Sequence, residues 1–408
     1  MSIDKKVCVI GLGYIGLPTA VVLANFGYNV SGIDIKKNVV DLINLGEAHI
    51  EEPNLSNLLK KVVKNKKLKA FQEIKKSEIY IICVPTPLLK KGNLFSPEIK
   101  YILDSVDMIS TVIKNGDIVI LESTSPVGTT QIIFEKLIET NNTLKNIKVG
   151  YCPERVLPGN ILYELSHNDR IVGGLTDDAK IDISNFYRTF ITGTVYETNA
   201  ETAEMCKLTE NSFRDVNIAF ANEISLLCRN LNIDELELIK LANKHPRVNI
   251  LSPGIGVGGH CIAVDPYFII SQNPENSDLI KSGRKVNLKK TNWIIEDIKK
   301  KILIIQKNEN KVINVCFLGM TYKPDIGDMR ESPAIQIIDG LHLSNVNHLL
   351  VDPWVQNTDS INLYKIEDAV PKSDLVICLV KHSFFLKQGN LNLIIDSNYL
   401  DYCNLIEI

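Results

Sequence analysis

A glycine-rich turn at residues 11–16, which reads GLGYIG, constrains the fold more than any other part of the chain. It follows a short run rich in β-branched residues, Lys6–Ile10, and it precedes apolar residues at helical spacing as far as Phe26. A second strand is predicted over residues 28–35, with Asp34 near its end. Strand, glycine turn, helix, strand and acid in this order are typical of a βαβ unit that binds a dinucleotide.

The same turn predicts which cofactor is bound. Because glycine has no Cβ, the backbone at Gly11, Gly13 and Gly16 can turn tightly and approach a pyrophosphate at the start of a helix. Asp34 follows about twenty residues later, where a carboxylate can accept hydrogen bonds from both ribose hydroxyls. That carboxylate would repel a 2′-phosphate, so we expect NAD rather than NADP.

Further strand-like runs at residues 78–84, 117–121 and 148–151 continue the α/β alternation, and polar residues follow each of them. Thr86 and Thr124 come just past the first two runs, where ligands bind in such sheets, although threonine there can equally cap a helix or order a loop. Glu154 and Arg155 follow the third run. They offer a base and a clamp for phosphate or carboxylate, or they form a surface ion pair.

From about residue 200 the pattern changes to a long helix, predicted over residues 201–230. Lys207, Asn211 and Arg214 occur at i, i+4 and i+7, so they share one face of that helix. The face is either solvated, or it buries a lysine whose pKa can shift and which can transfer protons. Further helices are predicted over residues 234–243 and 276–306.

The loop at residues 254–266, which reads GIGVGGHCIAVDP, surrounds Cys261 with four glycines. Cys261 is a candidate nucleophile, and Asp265 in the same loop can orient water or an ammonium group. The alternative is a tight turn that holds a buried, inert cysteine. We predict no metal site, because His260 is adjacent to Cys261 and His245 is too isolated to complete zinc-ligand spacing.

A second α/β region begins near residue 311, with strands predicted at residues 312–318, 347–351 and 374–380 and a helix at residues 334–343. It lacks a GxGxxG turn, but Lys323 and Arg330 follow its first strand and can bind phosphate or sugar through their side chains. The predicted fold is α/β, with two doubly wound Rossmann-like domains joined by a central domain of long helices. The predicted boundaries are 1–199 for the NAD domain, 200–305 for the central domain and 306–408 for the second Rossmann-like domain.

Composition narrows the range of partners. The chain has 45 basic and 48 acidic side chains and no long block of one sign, so neither nucleic acid nor an anionic membrane surface is expected as a partner. No apolar run reaches the roughly 20 residues that span a bilayer. Nine cysteines, mostly in apolar runs, indicate reduced thiols and a cytoplasmic location. A small molecule is the predicted partner.

Eight segments, spread over nearly the whole chain, resemble the UDP-glucose/GDP-mannose dehydrogenase family: GLGYIGLP, VPTP, ESTSPVGT, CPERVLPG, AEMCKLTENSFRDVNIAFANE, HPRVN, GVGGHCIAVDP and TYKPDIGDMRESPA. The resemblance implies that a primary alcohol of a nucleotide sugar is oxidised twice, to the carboxylate, with two NAD and one water. It favours a UDP-N-acetylhexosamine substrate, in particular UDP-N-acetyl-D-mannosamine, with UDP-N-acetylglucosamine and UDP-N-acetylgalactosamine as alternatives. It also implies a homodimer built by the central domain.

The resemblance further implies a role for each matching residue. Cys261 matches the nucleophile that traps the aldehyde as a thiohemiacetal, and Lys207 matches the acid/base group. Asn211 and Asp265 match residues that place water or stabilise an oxyanion. Glu154 matches a glutamate in thioester hydrolysis, and Thr124 matches a threonine near the nicotinamide. The nucleotide-sugar side comprises Arg155, Val156, Lys207, Asn211, Arg214, His245, Arg247, Gly258, Tyr322 and Lys323. The NAD side comprises Tyr14, Ile15, Asp34, Thr86, Thr124 and Arg330. In relatives, the arginine that matches Arg247 reaches into the site of a neighbouring subunit.

Two other functions stay open at this point. A nucleotide or NAD sensor with this fold would bind both ligands without forming NADH, but it would need none of the reactive residues Cys261, Lys207, Asn211 and Glu154. A simple hydroxyacid dehydrogenase could share the lysine helix, but it would have no use for the thiol.

Overall fold

The computed structural model describes residues 5–91, 94–309, 311–358 and 361–405. The chain divides into two compact units. The first runs as far as Glu210 and includes Tyr267–Gln272, and the second comprises Asn211–Pro266 and the residues from Asn273 onward. The boundary falls within a helix of 32 residues, Ala200–Leu231.

An eight-stranded sheet forms the centre of the first unit. The strands of this unit, including a separate hairpin of the fifth and sixth, are β1 (Lys6–Ile10), β2 (Asn29–Ile33), β3 (Leu68–Phe71), β4 (Ile79–Ile82), β5 (Leu88–Lys91), β6 (Leu94–Pro97), β7 (Ile118–Leu121), β8 (Lys148–Tyr151), β9 (Arg170–Gly174) and β10 (Val195–Asn199). The sheet order is β10-β9-β8-β7-β4-β1-β2-β3, and every pair is parallel except β8 with β9. All residues of β4 and β7 are buried, as expected of strands covered by helices on both faces.

Helices cover the sheet and form a separate apolar core on each of its faces. Those of the first unit are α1 (Gly16–Asn25), α2 (Lys37–Asn44), α3 (Leu55–Lys64), α4 (Lys100–Ser110), α5 (Thr129–Thr140), α6 (Ile161–His167) and α7 (Asp177–Tyr187), followed by the start of α8 (Ala200–Leu231). The reversal of strand order beside β1 places the glycine turn and the loops after β4, β7 and β8 along one edge of the sheet, where ligands bind in this architecture.

The second unit contains a four-stranded parallel sheet of order β12-β11-β13-β14 and two long helices. Its strands are β11 (Ile313–Leu318), β12 (Val346–Val351), β13 (Leu375–Cys378) and β14 (Tyr399–Asp401). Beyond α8 the helices are α9 (Glu235–Ala242), α10 (Pro266–Gln272), most of which belongs to the first unit, α11 (Asp278–Glu309), α12 (Pro333–Gly340), α13 (Ile366–Ala369) and α14 (Gln388–Ile395), with 3₁₀ turns at Pro274–Asn276 and Val370–Lys372.

The predicted fold class, two doubly wound α/β regions and a region of long helices, is confirmed. The long helix predicted over residues 201–230 spans Ala200–Leu231, and the helix predicted over residues 276–306 spans Asp278–Glu309. The three domain boundaries stay a prediction. Across the part of the chain that the structure describes, every helix is too short or too polar to cross a bilayer.

Candidate active site

At two glycines of the turn after β1 a Cβ would clash with neighbouring backbone atoms, and at the third glycine there is free space. Gly11 has a φ of +87°, and a Cβ there would lie 2.7 Å from the carbonyl oxygen of Cys83. A Cβ on Gly16 would lie 1.8 Å from the carbonyl oxygen of Gly11. A Cβ on Gly13 would meet no described heavy atom within 4 Å, so the backbone is open there to a bound group.

The N-terminus of α1 and the end of β2 provide the groups that NAD requires. Ile15 occupies the N-cap of α1 without a side-chain cap, and the first turn, which is described throughout, has no acidic residue. Its amide groups therefore favour an anion. The Asp34 carboxylate accepts hydrogen bonds from the backbone N–H groups of Leu12 (3.1 Å) and Lys36 (2.9 Å), which hold it beside the glycine turn. These residues fit a bound NAD.

Two predicted cofactor-side threonines are in direct contact. Thr86 follows β4 and Thr124 follows β7, and these strands are neighbours in the sheet. The Thr86 hydroxyl donates a hydrogen bond of 2.7 Å to the main-chain carbonyl of Thr124. The Thr86 side chain thus ties together the two loops at the ligand-binding edge and does not cap a helix.

Glu154 and Lys207 meet through the protein backbone. The Lys207 ammonium donates a hydrogen bond of 2.7 Å to the main-chain carbonyl of Glu154. The carboxylate of Glu154 accepts from Arg170 Nη1 at 2.8 Å and from the backbone N–H of Arg155 at 2.7 Å. The side chains of Glu154 and Arg170 are only 7% and 2% exposed. Arg155 instead pairs its guanidinium with Glu210 at 2.8 Å, so Glu154 and Arg155 do not form an ion pair with each other.

Arg170 belongs to a buried polar cluster that sequence reasoning missed. Its guanidinium lies 5.7 Å from the centre of the Tyr187 ring, and the Tyr187 hydroxyl donates a hydrogen bond of 2.6 Å to Glu122. Burial raises the pKa of the Glu122 carboxyl, an effect that Arg170 opposes and Glu154 reinforces. Burial would lower the pKa of Arg170, but the Glu154 carboxylate raises it above its usual value. Glu122 directly follows β7 in the segment ESTSPVGT, a position that could have indicated a buried carboxylate.

In the second unit, three residues with predicted chemical roles form one cluster. The backbone N–H groups of Val264 and Asp265 donate to the carbonyl of Cys261 at 3.0 and 2.8 Å, which closes a turn just before α10. Asn211 Nδ2 lies 2.5 Å from Asp265 Oδ2. Asp265 is buried and Cys261 is half-buried. Cys261 and Asp265 therefore belong to one hydrogen-bonded turn, and the amide of Asn211 orients the Asp265 carboxylate.

The glycines of the cysteine loop pack against the loop after β11. Gly259 has a φ of +82°, and a Cβ there would lie 2.8 Å from the ring of Tyr322. A Cβ on Gly258 would lie 2.6 Å from the carbonyl oxygen of Glu331. The N–H of Gly259 donates to the carbonyl of Arg330 at 3.1 Å. Gly258 and Tyr322, both predicted on the substrate side, are thus brought together, and the close approach is between two protein loops.

Other predicted binding residues lie at the surface of their units. Five with long polar side chains are exposed: Arg214, His245, Arg247, Lys323 and Arg330. The backbone N–H of Arg247 donates to His245 Nδ1 at 3.3 Å, and Arg330 pairs with Asp328 at 2.6 Å. In the first unit Tyr14 is exposed, whereas Val156 is half-buried against the apolar core.

Burial distinguishes several cysteines from the one in the glycine loop. It raises the pKa of the thiols of Cys8, Cys152 and Cys316 to about 12 and that of Cys378 well above its usual value. Such thiols are inert near neutral pH because the thiolate is the nucleophile. Cys261, half-buried in its turn, differs from these strand and core cysteines in its surroundings.

The glycine turn, the open N-terminus of α1 and Asp34 together define a dinucleotide-binding Rossmann domain fitted to NAD. The comparisons with known proteins give the family. Residues 5–191 match the NAD binding domain, residues 201–289 the central domain and residues 316–405 the UDP binding domain of the UDP-glucose/GDP-mannose dehydrogenase family. The chain belongs to this family.

Individual relatives are similar over nearly their full length. A UDP-N-acetyl-D-mannosamine dehydrogenase of Campylobacter jejuni is 48% identical over 404 residues, which cover 95% of this chain and 98% of that protein. A solved UDP-N-acetyl-mannosamine dehydrogenase from Staphylococcus aureus is 40% identical with a TM-score of 0.89, covering 99% of this chain and 96% of that one. A UDP-D-ManNAc dehydrogenase from Pyrococcus horikoshii is 36% identical with a TM-score of 0.90, covering 98% and 96%.

Proposed function

We propose that this protein oxidises UDP-N-acetyl-D-mannosamine to UDP-N-acetyl-D-mannosaminuronate, a precursor for polysaccharide synthesis, with two NAD and one water. Relatives named for the dehydrogenation of this sugar share 48% and 40% of their residues with the chain over almost its whole length. The observation that carries the proposal is Cys261 in a turn with Asp265, whose carboxylate contacts Asn211 on α8, because a dehydrogenase that stopped at the aldehyde would not need a thiol there.

The proposed reaction forms and breaks one bond to sulfur. The glycine turn and Asp34 would hold NAD, which would supply the hydride acceptor for each of the two oxidations. The first oxidation converts the primary alcohol to an aldehyde, and the neutral ε-amine of Lys207 takes up the hydroxyl proton. The sulfur of Cys261 then bonds to the aldehyde carbon while the thiol proton passes to the aldehyde oxygen. The resulting thiohemiacetal loses its remaining hydride and its hydroxyl proton to become a thioester. Water cleaves the carbon–sulfur bond, which releases the carboxylate and restores the thiol.

Glu154 supports the basic group through its backbone. Its carbonyl oxygen accepts from Lys207 Nζ at 2.7 Å, which fixes the position of this nitrogen. Its carboxylate accepts from the guanidinium of Arg170 at 2.8 Å, so that side chain is held as well. We therefore assign Glu154 to thioester hydrolysis as a residue that positions Lys207 and water.

The same proposal includes a homodimer formed through the long helices. Phe213, Phe220 and Leu227 are spaced seven residues apart on α8, and each is at least half exposed in the single chain. A stripe at heptad spacing is typical of a helix that packs against another helix. Light scattering should give twice the chain mass, and Phe220→Glu should give the single-chain mass.

The panel that tests the function measures NADH formed from limiting UDP-N-acetylmannosamine, UDP-N-acetylglucosamine, UDP-N-acetylgalactosamine, UDP-glucose and GDP-mannose. We expect two equivalents of NADH per sugar and the highest kcat/KM with the manno sugar. A higher kcat/KM with the gluco or galacto sugar would move the assignment to that epimer. Binding of NAD and UDP without NADH from any of the five would instead show a sensor.

A cytoplasmic location also belongs to this proposal, since all nine cysteines lie in the described residues and none is in a disulfide.

A further inference from the structure

A chain of buried polar side chains between α8 and α11 ends at the cysteine loop. Asn222 on α8 donates through Nδ2 to Asn287 Oδ1 on α11 at 2.9 Å, and its own Oδ1 accepts from the backbone N–H of Gly254 at 2.8 Å. Asn222 is fully buried and Asn287 is 1% exposed. A buried amide of this kind therefore has defined partners, and one of them is the first glycine of the loop.

The other side chains in this series of hydrogen bonds fix the orientation of the two amides. Asn287 Nδ2 donates to Asp215 at its carboxylate (2.8 Å) and at its main-chain carbonyl (3.1 Å). Arg284 Nη1 donates to the same carboxylate at 2.7 Å. Because Asp215 can only accept, Asn287 must present its NH₂ to Asp215 and its oxygen to Asn222. Asn222 must then present its own oxygen to the Gly254 N–H.

Thr291 provides a second attachment, one helical turn further along α11. Its hydroxyl donates to the carbonyl of Ile255 at 2.8 Å. The backbone of Gly256 also approaches this hydroxyl, because a Cβ on Gly256 would lie 2.3 Å from Thr291 Oγ1. The N–H of residue 254 and the carbonyl of residue 255 are thus both bound to the helix pair, six to seven residues before Cys261.

We propose that Asn222 and Thr291 are positioning residues that fix the loop carrying Cys261, so that the sulfur captures the aldehyde before it leaves. This inference rests on the proposed function. The loop has no regular secondary structure from residue 251 to 265, so its attachments decide how far the thiol can move. Loss of either attachment leaves a backbone group without its partner, a half-buried N–H at Gly254 or a buried carbonyl at Ile255, and favours local opening.

The consequence is a change in stoichiometry and not only in rate. A sugar that escapes as the aldehyde has given up one hydride, whereas a sugar whose aldehyde is captured by sulfur gives up two in total. A loosened loop should therefore lower the NADH formed per sugar from two toward one and release aldehyde. A purely structural role would lower the amount of folded enzyme but would leave two NADH for each sugar consumed.

The experiment compares Asn222→Ala and Thr291→Val with two matched variants. Thr291→Ser keeps the hydroxyl, and Ser225→Ala removes a buried bond between the same two helices, from Lys290 Nζ at 2.5 Å, that has no part in the loop. NADH and sugar consumed are measured with limiting UDP-N-acetylmannosamine, and aldehyde is measured in the protein-free filtrate. We expect fewer than two NADH per sugar and filtrate aldehyde for Asn222→Ala and Thr291→Val, and two NADH without aldehyde for Thr291→Ser and Ser225→Ala.

A second readout does not depend on turnover. Alkylation of Cys261 by iodoacetamide, followed by peptide mass mapping, should be faster by about threefold or more in Asn222→Ala and Thr291→Val than in the other two variants. Equal alkylation and unchanged stoichiometry in all four variants would overturn the positioning role. If the wild type forms no NADH from any sugar, the proposed function fails, and the alkylation rates alone decide whether these residues fix the loop.

Discussion

The ion pair between Arg170 and Glu154 gives the sharpest prediction about stability. Arg170→Met removes the guanidinium, which donates to Glu154 at 2.8 Å and to the carbonyl of Leu165 at 3.3 Å. Both side chains of the pair are almost fully buried, so the carboxylate would be left without its charge partner in a medium that solvates it poorly. Breaking a buried pair in this way costs about 3–5 kcal/mol.

Two further variants separate charge from packing. Arg170→Met with Glu154→Gln removes both charges and should recover a large part of the loss, because a buried amide is far less costly than a buried carboxylate. Arg188→Met breaks a pair of the same length, 2.8 Å to Glu197, whose side chains are 46% and 30% exposed. An exposed pair contributes roughly 0–1 kcal/mol, so this variant is the matched control.

Urea unfolding followed by far-UV circular dichroism measures these differences, with NADH turnover recorded on the same samples. Arg170→Met should unfold at a clearly lower urea concentration than Arg188→Met, and its kcat should fall because the Glu154 carbonyl no longer directs Lys207. Equal midpoint shifts in both single variants, or a double variant no more stable than Arg170→Met, would show that no uncompensated charge is buried at Glu154.

Three other outcomes follow from the same structure. Lys207→Met should lower kcat by about a hundredfold or more while NAD still binds, as measured by steady-state turnover and by calorimetric titration with NAD. Asp34→Ala should narrow the preference for NAD over NADP in kcat/KM, and the amides of Leu12 and Lys36, which lose their carboxylate acceptors, should exchange hydrogen faster. Burial lowers the pKa of Lys290 to about 8 in the folded protein. Between about pH 8 and the unfolded pKa of about 10.4, the unfolded chain therefore binds more protons at Lys290 than the folded protein does. The free energy of unfolding should therefore rise with pH in this range. Lys290→Met should therefore stabilise the protein at pH 7, and the advantage should shrink as the unfolding midpoint is followed to pH 10.

The regular elements could be predicted because each has a local signal. The β-branched runs before the glycine turn and at residues 312–318 became β1 and β11, since strands buried on both faces read as apolar runs. The helix that begins near residue 200 could be placed within one residue at each end, because its apolar residues follow a helical period over more than thirty positions.

The buried polar partners could not be predicted in the same way. Arg170 begins a strand, and nothing in the sequence near it indicates that it will meet Glu154, sixteen residues earlier, inside the protein. Asn222 and Asn287 are 65 residues apart, and an amide on a long helix has the same local pattern whether it faces water or another helix. Such contacts depend on how the elements pack, which no short sequence window contains.

The neighbours of the glycines in the cysteine loop could not be predicted from the sequence either. Their number predicts close backbone approach, but it does not say what approaches. At Gly256, Gly258 and Gly259 the neighbours are Thr291, Glu331 and Tyr322 of the protein itself. Space for a ligand is visible instead at Gly13, where an added Cβ would meet no described atom within 4 Å.

The proposed mechanism depends above all on a covalent link between the sugar and Cys261. The direct measurement is an acid quench of the wild-type enzyme during turnover with UDP-N-acetylmannosamine and NAD, followed by peptide mass mapping. We expect a sugar-derived mass on the peptide that contains Cys261, and no such mass in Cys261→Ala. Two NADH per sugar from Cys261→Ala, with the wild-type peptide unmodified, would contradict the mechanism.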